Sequence, residues 1–217
     1  MRPDEIAAAL RSAVRERAIP PGHAMNQDLL ARQFGVSRIP LREALRTLVG
    51  EGLVIMKPGL GAVVSELEPA EVEELYGLRL QLEPPLAGDI VDRVRRRDVD
   101  ELSRLVERMG ALAPEASEEW SGDNYRFNRR LYELAERRHA IRLVVQVLNL
   151  VEPYARMNAH VLGSRPRIQD VRGAMVDALR EGDAERLETL IRRDIEDGCA
   201  QLLASMPSTD PTRPVVD

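Results

Sequence analysis

The sequence predicts a mainly α-helical protein in two parts: an N-terminal winged helix-turn-helix with a small β-hairpin wing, and a C-terminal all-helical bundle. Three observations lead there. Short helical patterns broken by Pro and Gly give way, before residue 66, to apolar and β-branched runs around a Pro-Gly-x-Gly turn. Beyond Glu68-Pro69 the apolar residues recur only at helical spacing. Charge divides at the same point. Residues 1–64 hold 9 Lys+Arg against 6 Asp+Glu, a net of +3, and residues 65–217 hold 22 against 30, a net of -8. A basic head on an acidic body implies two parts with different partners.

Element by element, Ile6, Leu10 and Val14 recur every four residues and set the first helix. "IPPGHAM" (19–25) breaks it. Asn26 can cap a second helix through "QDLLARQF", which ends at Gly35. Ser37 can cap a third, with Pro40 tolerated in its first turn and an end near "GEG" (50–52). "LVIMKPGLGAVVS" (53–65) reads as a two-stranded hairpin. The bundle is expected to hold about six helices: 69–96 with a kink at Pro84-Pro85, then 98–112, 115–137, 139–161, 166–181 and 183–204. The domains are thus 1–67 and 68–205. The tail 206–217, with "PSTDPTRPVVD" lacking apolar periodicity, is expected to be disordered.

Composition excludes several classes. At 44% hydrophobic and 31% charged the chain is an ordinary folded protein. Aromatics at 3% argue against base-stacking platforms for single strands. The start "MRPDEIAAAL" lacks the pattern of a secretory leader, and no apolar run is long enough to span a membrane, so a cytoplasmic protein with no membrane partner is expected. The single cysteine, Cys199, fits a reducing compartment and reads as small apolar filler in a helix.

The third helix has the sharpest pattern. Leu41, Ala44, Leu45 and Leu48 form one stripe, Arg42 and Arg46 point away from it, and Arg38 lies at the helix start. A short helix, a tight turn and a second helix exposing arginines is how a recognition helix enters the major groove of double-stranded DNA. Guanidinium forks suit both phosphate and the guanine edge. The run "GVSRIPLREALRTLVGEGLV", preceded by "PGHAMNQDLLARQF" and followed by "KPGLGAVV", resembles the DNA-binding domain of the GntR family of bacterial transcriptional regulators. That resemblance implies DNA contacts from Ser37, Arg38, Arg42 and Arg46, with the wing around Gly59 and Gly61 entering the minor groove. Two positions depart from the family. Ile39 stands where it usually has threonine, on the exposed face where a thymine methyl could meet it, and Leu60 stands where a wing arginine is common.

Four helices of the bundle carry polar residues inside apolar stripes. Arg79, with Glu83 one turn on, lies among Val72, Leu75, Leu82, Leu86 and Ile90. Asn124 and Asn128 lie with Trp120, Phe127, Leu131 and Leu134. Arg172 lies among Ile168, Met175, Val176 and Leu179, and Asp194 among Leu187, Leu190, Ile191 and Leu202. An unpaired buried amide costs about 1–3 kcal/mol and a charge more, so these groups must satisfy one another or a ligand. One solution is a closed network, Arg79 with Glu83 and Arg172 with Asp194, bridged by the asparagines. The other is a polar cavity for a small effector, with two arginines favouring a carboxylate.

The segments "YGLRLQLE" (76–83), "NYRFNRRLYELA" (124–135) and "VRGAMVDALREGDAERLETLIRRDI" (171–195) resemble the helical FCD effector domain of FadR-type GntR regulators, in its shorter VanR-like variant. The resemblance implies effector binding and a homodimer reading a near-palindromic operator. Many such domains hold a divalent metal on an aspartate and three histidines. Here those positions carry Asn124, Asn128, Arg172 and Asp194, while His23, His139 and His160 fall elsewhere. Arginine has no lone pair for a metal, so no metal cofactor is expected, with Arg172 supplying positive charge instead. An effector-free DNA-binding regulator is the alternative. An enzyme is not expected, for no nucleophile-base set, metal cluster or phosphate loop is visible.

Overall fold

The computed structural model describes residues 1–16, 18–113, 116–161 and 164–206, excluding the side chains at 15, 117, 118, 153 and 155–161. Helix α1 (Pro3–Arg15) starts with Pro at its first position and acids in its first turn. It buries Ile6, Ala7, Leu10 and Val14. In α2 (Gln27–Phe34), Asn26 Oδ1 accepts the amides of Asp28 and Leu29 at 3.0 Å each. The helix stops at Gly35, whose φ of +63° is the left-handed C-cap expected. Helix α3 (Arg38–Gly50) buries Leu41, Ala44, Leu45 and Leu48.

Ser37 occupies the N-cap position of α3, yet its side chain makes no capping hydrogen bond, contrary to expectation. The reason is local. The third helical residue, whose amide a capping serine usually accepts, is Pro40, which has no N–H.

Strands β1 (Val54–Lys57) and β2 (Gly61–Val64) pair antiparallel, Val54 opposite Val64 and Lys57 opposite Gly61. Residues 22–25 were expected only to interrupt helix. They also line the other edge of β2, with Val64 N–H donating to His23 O, and the amides of Gly22 and Met25 donating to Val64 O and Ala62 O. The wing sheet therefore hydrogen-bonds on both sides of β2.

The body is helical throughout: α4 (Pro69–Leu82), a 3-10 turn (Pro84–Leu86), α5 (Ala87–Arg93), α6 (Arg96–Ala111), α7 (Ser117–Glu133), α8 (Arg138–Val161), α9 (Arg165–Glu181) and α10 (Ala184–Ser205). The expected single helix 69–96 is broken, not kinked, giving seven α-helical segments here among the described residues. Two successive prolines lack amides for the helical ladder, so the chain tightens at 84–86. It then ends α5 at an extended Val94, and Asp98 accepts the Arg95 amide to start α6 early. Helix α7 stops short of 137, before Glu136 adopts a φ of +53°. The segment 207–217 of the expected disordered tail lies outside the described residues.

Two large hydrophobic cores and a small cluster of Met109 and Trp120 result among the described residues. The head core joins α1, α2, α3 and the wing through Ile6, Leu10, Leu41, Leu48 and Val64. The body core runs from Val72 and Ile90 through Phe127 and Leu131 to Met175, Leu187 and Ile191. Helix α10 packs against α4, α5, α8 and α9. Cys199 is half-buried against this core, and burial raises its thiol pKa.

Candidate functional site

Two sites emerge, one on each core. On the head, the buried leucine stripe of α3 turns Ile39, Arg42 and Arg46 to solvent, and Ile39 is 70% exposed. Arg38 is also exposed and pairs with Asp28 of α2 at 2.5 Å, a link across the helix-turn-helix. Such an exposed pair is worth about 0–1 kcal/mol and yields readily to phosphate. The Ser37 hydroxyl, released from capping by Pro40, has no partner among the described residues. It stands beside unpaired amides at the positive end of the helix, a disposition suited to phosphate.

At the wing tip Gly59 and Gly61 have φ of +79° and +77°, which lets the chain reverse within three residues. Leu60 stands 63% exposed there and Met56 58%. Lys57, exposed at the end of β1, adds a positive charge to this tip. The sequence reading passed it over, although it is the chain's sole lysine.

In the body, all five inward-facing polar residues meet. Arg79, Asn124, Asn128, Arg172 and Asp194 line one cavity of about 60 Å³ between α4, α7, α8, α9 and α10. Arg172 is 2% exposed. Its Nε donates to Asn124 Oδ1 at 3.0 Å and its Nη1 to Asp194 Oδ2 at 2.9 Å, while its guanidinium lies over the Phe127 ring at 5.4 Å. Asn124 Oδ1 and Asp194 Oδ2, two oxygens that could serve a metal, are therefore turned to a cationic side chain that repels one. Among the described residues no group of three or more His, Cys, Asp or Glu could hold a metal ion. The donor set does not fit the family's metal. His23 and His139 are exposed and stand elsewhere, and the His160 side chain lies outside the described residues.

Arg79 forms the second charged centre. Its Nε and Nη2 donate to the two carboxylate oxygens of Glu83 at 2.6 and 3.2 Å, and the Tyr132 hydroxyl donates to Glu83 at 2.5 Å. Burial opposes the Arg79 charge, but the Glu83 carboxylate outweighs it and holds the guanidinium pKa above its ordinary value. Burial likewise pushes Tyr76 up to about 12, against the lowering effect of Arg79, whose guanidinium lies 5.0 Å from the Tyr76 ring.

Sequence reasoning missed several lining residues, among them Tyr76, Glu152, Ser164, Arg167 and Gln201. Tyr76 had a signal, standing three residues before Arg79 on the same helical face. Arg167 donates through Nη1 to Asp197 at 2.8 Å, while its buried Nε has no hydrogen-bond partner among the described residues.

Comparison with known proteins decides the class. The gntR family model of bacterial regulatory proteins matches residues 3–64, and the FCD domain model matches residues 74–197. The chain belongs to the GntR family. It is a DNA-binding transcriptional regulator with a helix-turn-helix head and an FCD effector domain, and not an enzyme. Among its relatives is an uncharacterized HTH-type transcriptional regulator in the TAR-I ttuE-ttuC' intergenic region of Agrobacterium vitis. It is 32% identical over 131 residues, spanning 58% of this chain and 77% of the relative. An HTH-type regulator in an unstable DNA locus of Streptomyces ambofaciens is 27% identical over 218 residues, spanning 94% and 87%. The solved structure of E. coli McbR/YncC shares the fold with a TM-score of 0.79 at 21% identity, covering 93% of this chain and 97% of that one. No helix among the described residues is long and apolar enough to cross a membrane.

Proposed function

We propose that this GntR regulator binds a small carboxylate in the cavity beneath Arg172, without a metal, and so controls how a homodimer in the cytoplasm reads a near-palindromic operator. Buried Arg172, held by Asp194 and Asn124 on the cavity wall, carries the reading. A guanidinium fork binds a carboxylate bidentately, and Arg172 already holds one through a single nitrogen. Small carboxylate effectors then compete with Asp194 for the same group. On the head, Arg42 and Arg46 supply groove contacts, Ser37 and Arg38 anchor phosphate, Ile39 packs on a thymine methyl, and the wing around Gly59 and Gly61 meets the minor groove.

The test is a gel shift on DNA upstream of neighbouring genes, across a panel of carboxylic acids with and without chelator. One acid is expected to change the shift regardless of chelator, and Arg172→Ala to remove that response while DNA binding persists. Arg42→Ala is expected to abolish the shift while the helical body stays folded. A response that needs added metal, or that survives Arg172→Ala, overturns the carboxylate site.

A second reading draws on cavity size. Ligand pockets usually occupy about 300–1,000 Å³, and 60 Å³ holds only a few waters. The Arg172–Asp194 pair would then be a closed structural network, and no acid in the panel would alter either DNA binding or thermal stability.

A further inference from the structure

One face of α8 does for the head what its other face does for the cavity. Leu148, Val151 and Glu152 line the cavity. On the other side of the helix, at steps of four residues, Gln146, Leu150 and Tyr154 meet the head. Gln146 Nε2 donates to the carbonyl of Gly50, the last residue of α3, at 3.2 Å. Leu150 lies against Gly52 so closely that a Cβ there would stand 2.9 Å from Leu150 Cδ2. The buried Tyr154 hydroxyl accepts the Leu67 amide at 2.6 Å and donates to the Ser65 carbonyl at 3.4 Å.

Those two partners belong to different parts of the molecule. Ser65 is tied to the head, its amide donating to Leu53 O and its hydroxyl to Gly52 O. The side chain of Leu67 is buried in the body core. Tyr154 thus grips the connecting segment on both sides of its joint. A further tie stands between the cavity and the head. Tyr125, next to cavity-lining Asn124, donates to Asn149, next to cavity-lining Leu148, at 2.7 Å. Both face a cleft of about 280 Å³ against Arg11 and Glu51 of the head.

We infer that Tyr154 is a positioning residue for DNA recognition: through it, and through the Gln146 and Leu150 contacts, a shift of α8 at the cavity re-aims α3. A helix is stiff along its axis, so displacement of Leu148 or Val151 by a ligand moves Gln146, Leu150 and Tyr154 with it. The hydroxyl converts that movement into tension on the joint at 65–67. This inference rests on the cavity being the regulatory site.

The test uses the full chain and DNA selected by it from a random library. Asp194→Asn serves as the perturbation at the cavity, and Tyr154→Phe removes the hydroxyl while keeping the ring. Asp194→Asn is expected to change affinity for the selected DNA severalfold in the parent chain and less than twofold in the Tyr154→Phe background. Leu150→Ala is expected to uncouple in the same way. In parallel, Tyr154→Phe is expected to speed hydrogen exchange at the Leu67 amide about tenfold. Asp194→Asn should alter that rate only when Tyr154 is present. Equal effects of Asp194→Asn in both backgrounds, or an unchanged Leu67 rate in Tyr154→Phe, overturn the inference. If Asp194→Asn leaves both DNA affinity and the Leu67 rate unchanged in the parent chain while Tyr154→Phe still speeds that rate, the cavity reading fails, and the inference falls with it.

Discussion

Replacing Asp194 with alanine puts the charged wall of the cavity to a quantitative test. The substitution leaves Arg172, 3% exposed at its side chain, with its charge buried and, among the described residues, only the neutral Asn124 amide oxygen and Met175 sulfur as hydrogen-bond partners. Breaking a buried ion pair by removing one partner costs roughly 3–5 kcal/mol. The Asp194 side chain is itself 12% exposed, so some water reaches the gap and the lower half of that range is expected. Deleting the carboxyl also opens a space shaped for a small carboxylate directly before Arg172 Nη1. Sodium acetate should therefore restore stability where sodium chloride of equal ionic strength does not. Binding to the folded state alone contributes RT ln(1 + [L]/Kd), about 2.7 kcal/mol when the ligand is at 100 times its Kd. Urea unfolding followed by circular dichroism reads both quantities. A loss below about 1 kcal/mol, or equal recovery in acetate and chloride, would refute the idea that Arg172 depends on a carboxylate partner.

Gly52→Ala forces a side chain into a left-handed backbone at φ +77° and against Leu150, and is expected to cost roughly 2–4 kcal/mol in urea unfolding. Gly35→Ala, at φ +63° with open space around it, pays only the backbone strain and should cost about 1–2 kcal/mol. Tyr132→Phe removes a buried hydroxyl donor to the Glu83 carboxylate and should cost about 1.5–3 kcal/mol by the same measurement. Tyr76 has a folded pKa raised to about 12 from an ordinary value near 10. The stability it confers is therefore complete below pH 10 and is lost as pH rises from there towards 12. Ultraviolet titration should show Tyr76 ionising late, and Tyr76→Phe should flatten that alkaline loss.

The head was legible because its signals are local. Asn26 and Gly35 act on their own neighbours, and the arginines of α3 follow from a 3.6-residue period. Ser37 was misjudged because its capping partner depends on Pro40, three residues away, having no N–H. The broken helix at 82–96 needed a choice between bending and stopping that two prolines alone do not decide. In the body, Arg79, Asn124, Asn128, Arg172 and Asp194 could be found because polar side chains within an apolar stripe must be answered from across the fold. Both ion pairs, Arg79 with Glu83 and Arg172 with Asp194, were among the expected pairings. Cavity size was not legible, since it depends on how five helices pack. Neither was the bond between Tyr154 and Leu67, which joins residues 87 apart in the chain through ordinary-looking neighbours.

Leu67 gives that bond a practical meaning. Its side chain fills the body core while the preceding strand completes the head, so the frontier between the two halves falls within two peptide units of Ser65. Severing the halves on the wrong side of that frontier would leave a hole in one fragment and an exposed leucine on the other. A head fragment ending at Glu66 and a body fragment beginning at Leu67, one residue before the boundary expected from the sequence, divide the molecule where each keeps its own interior.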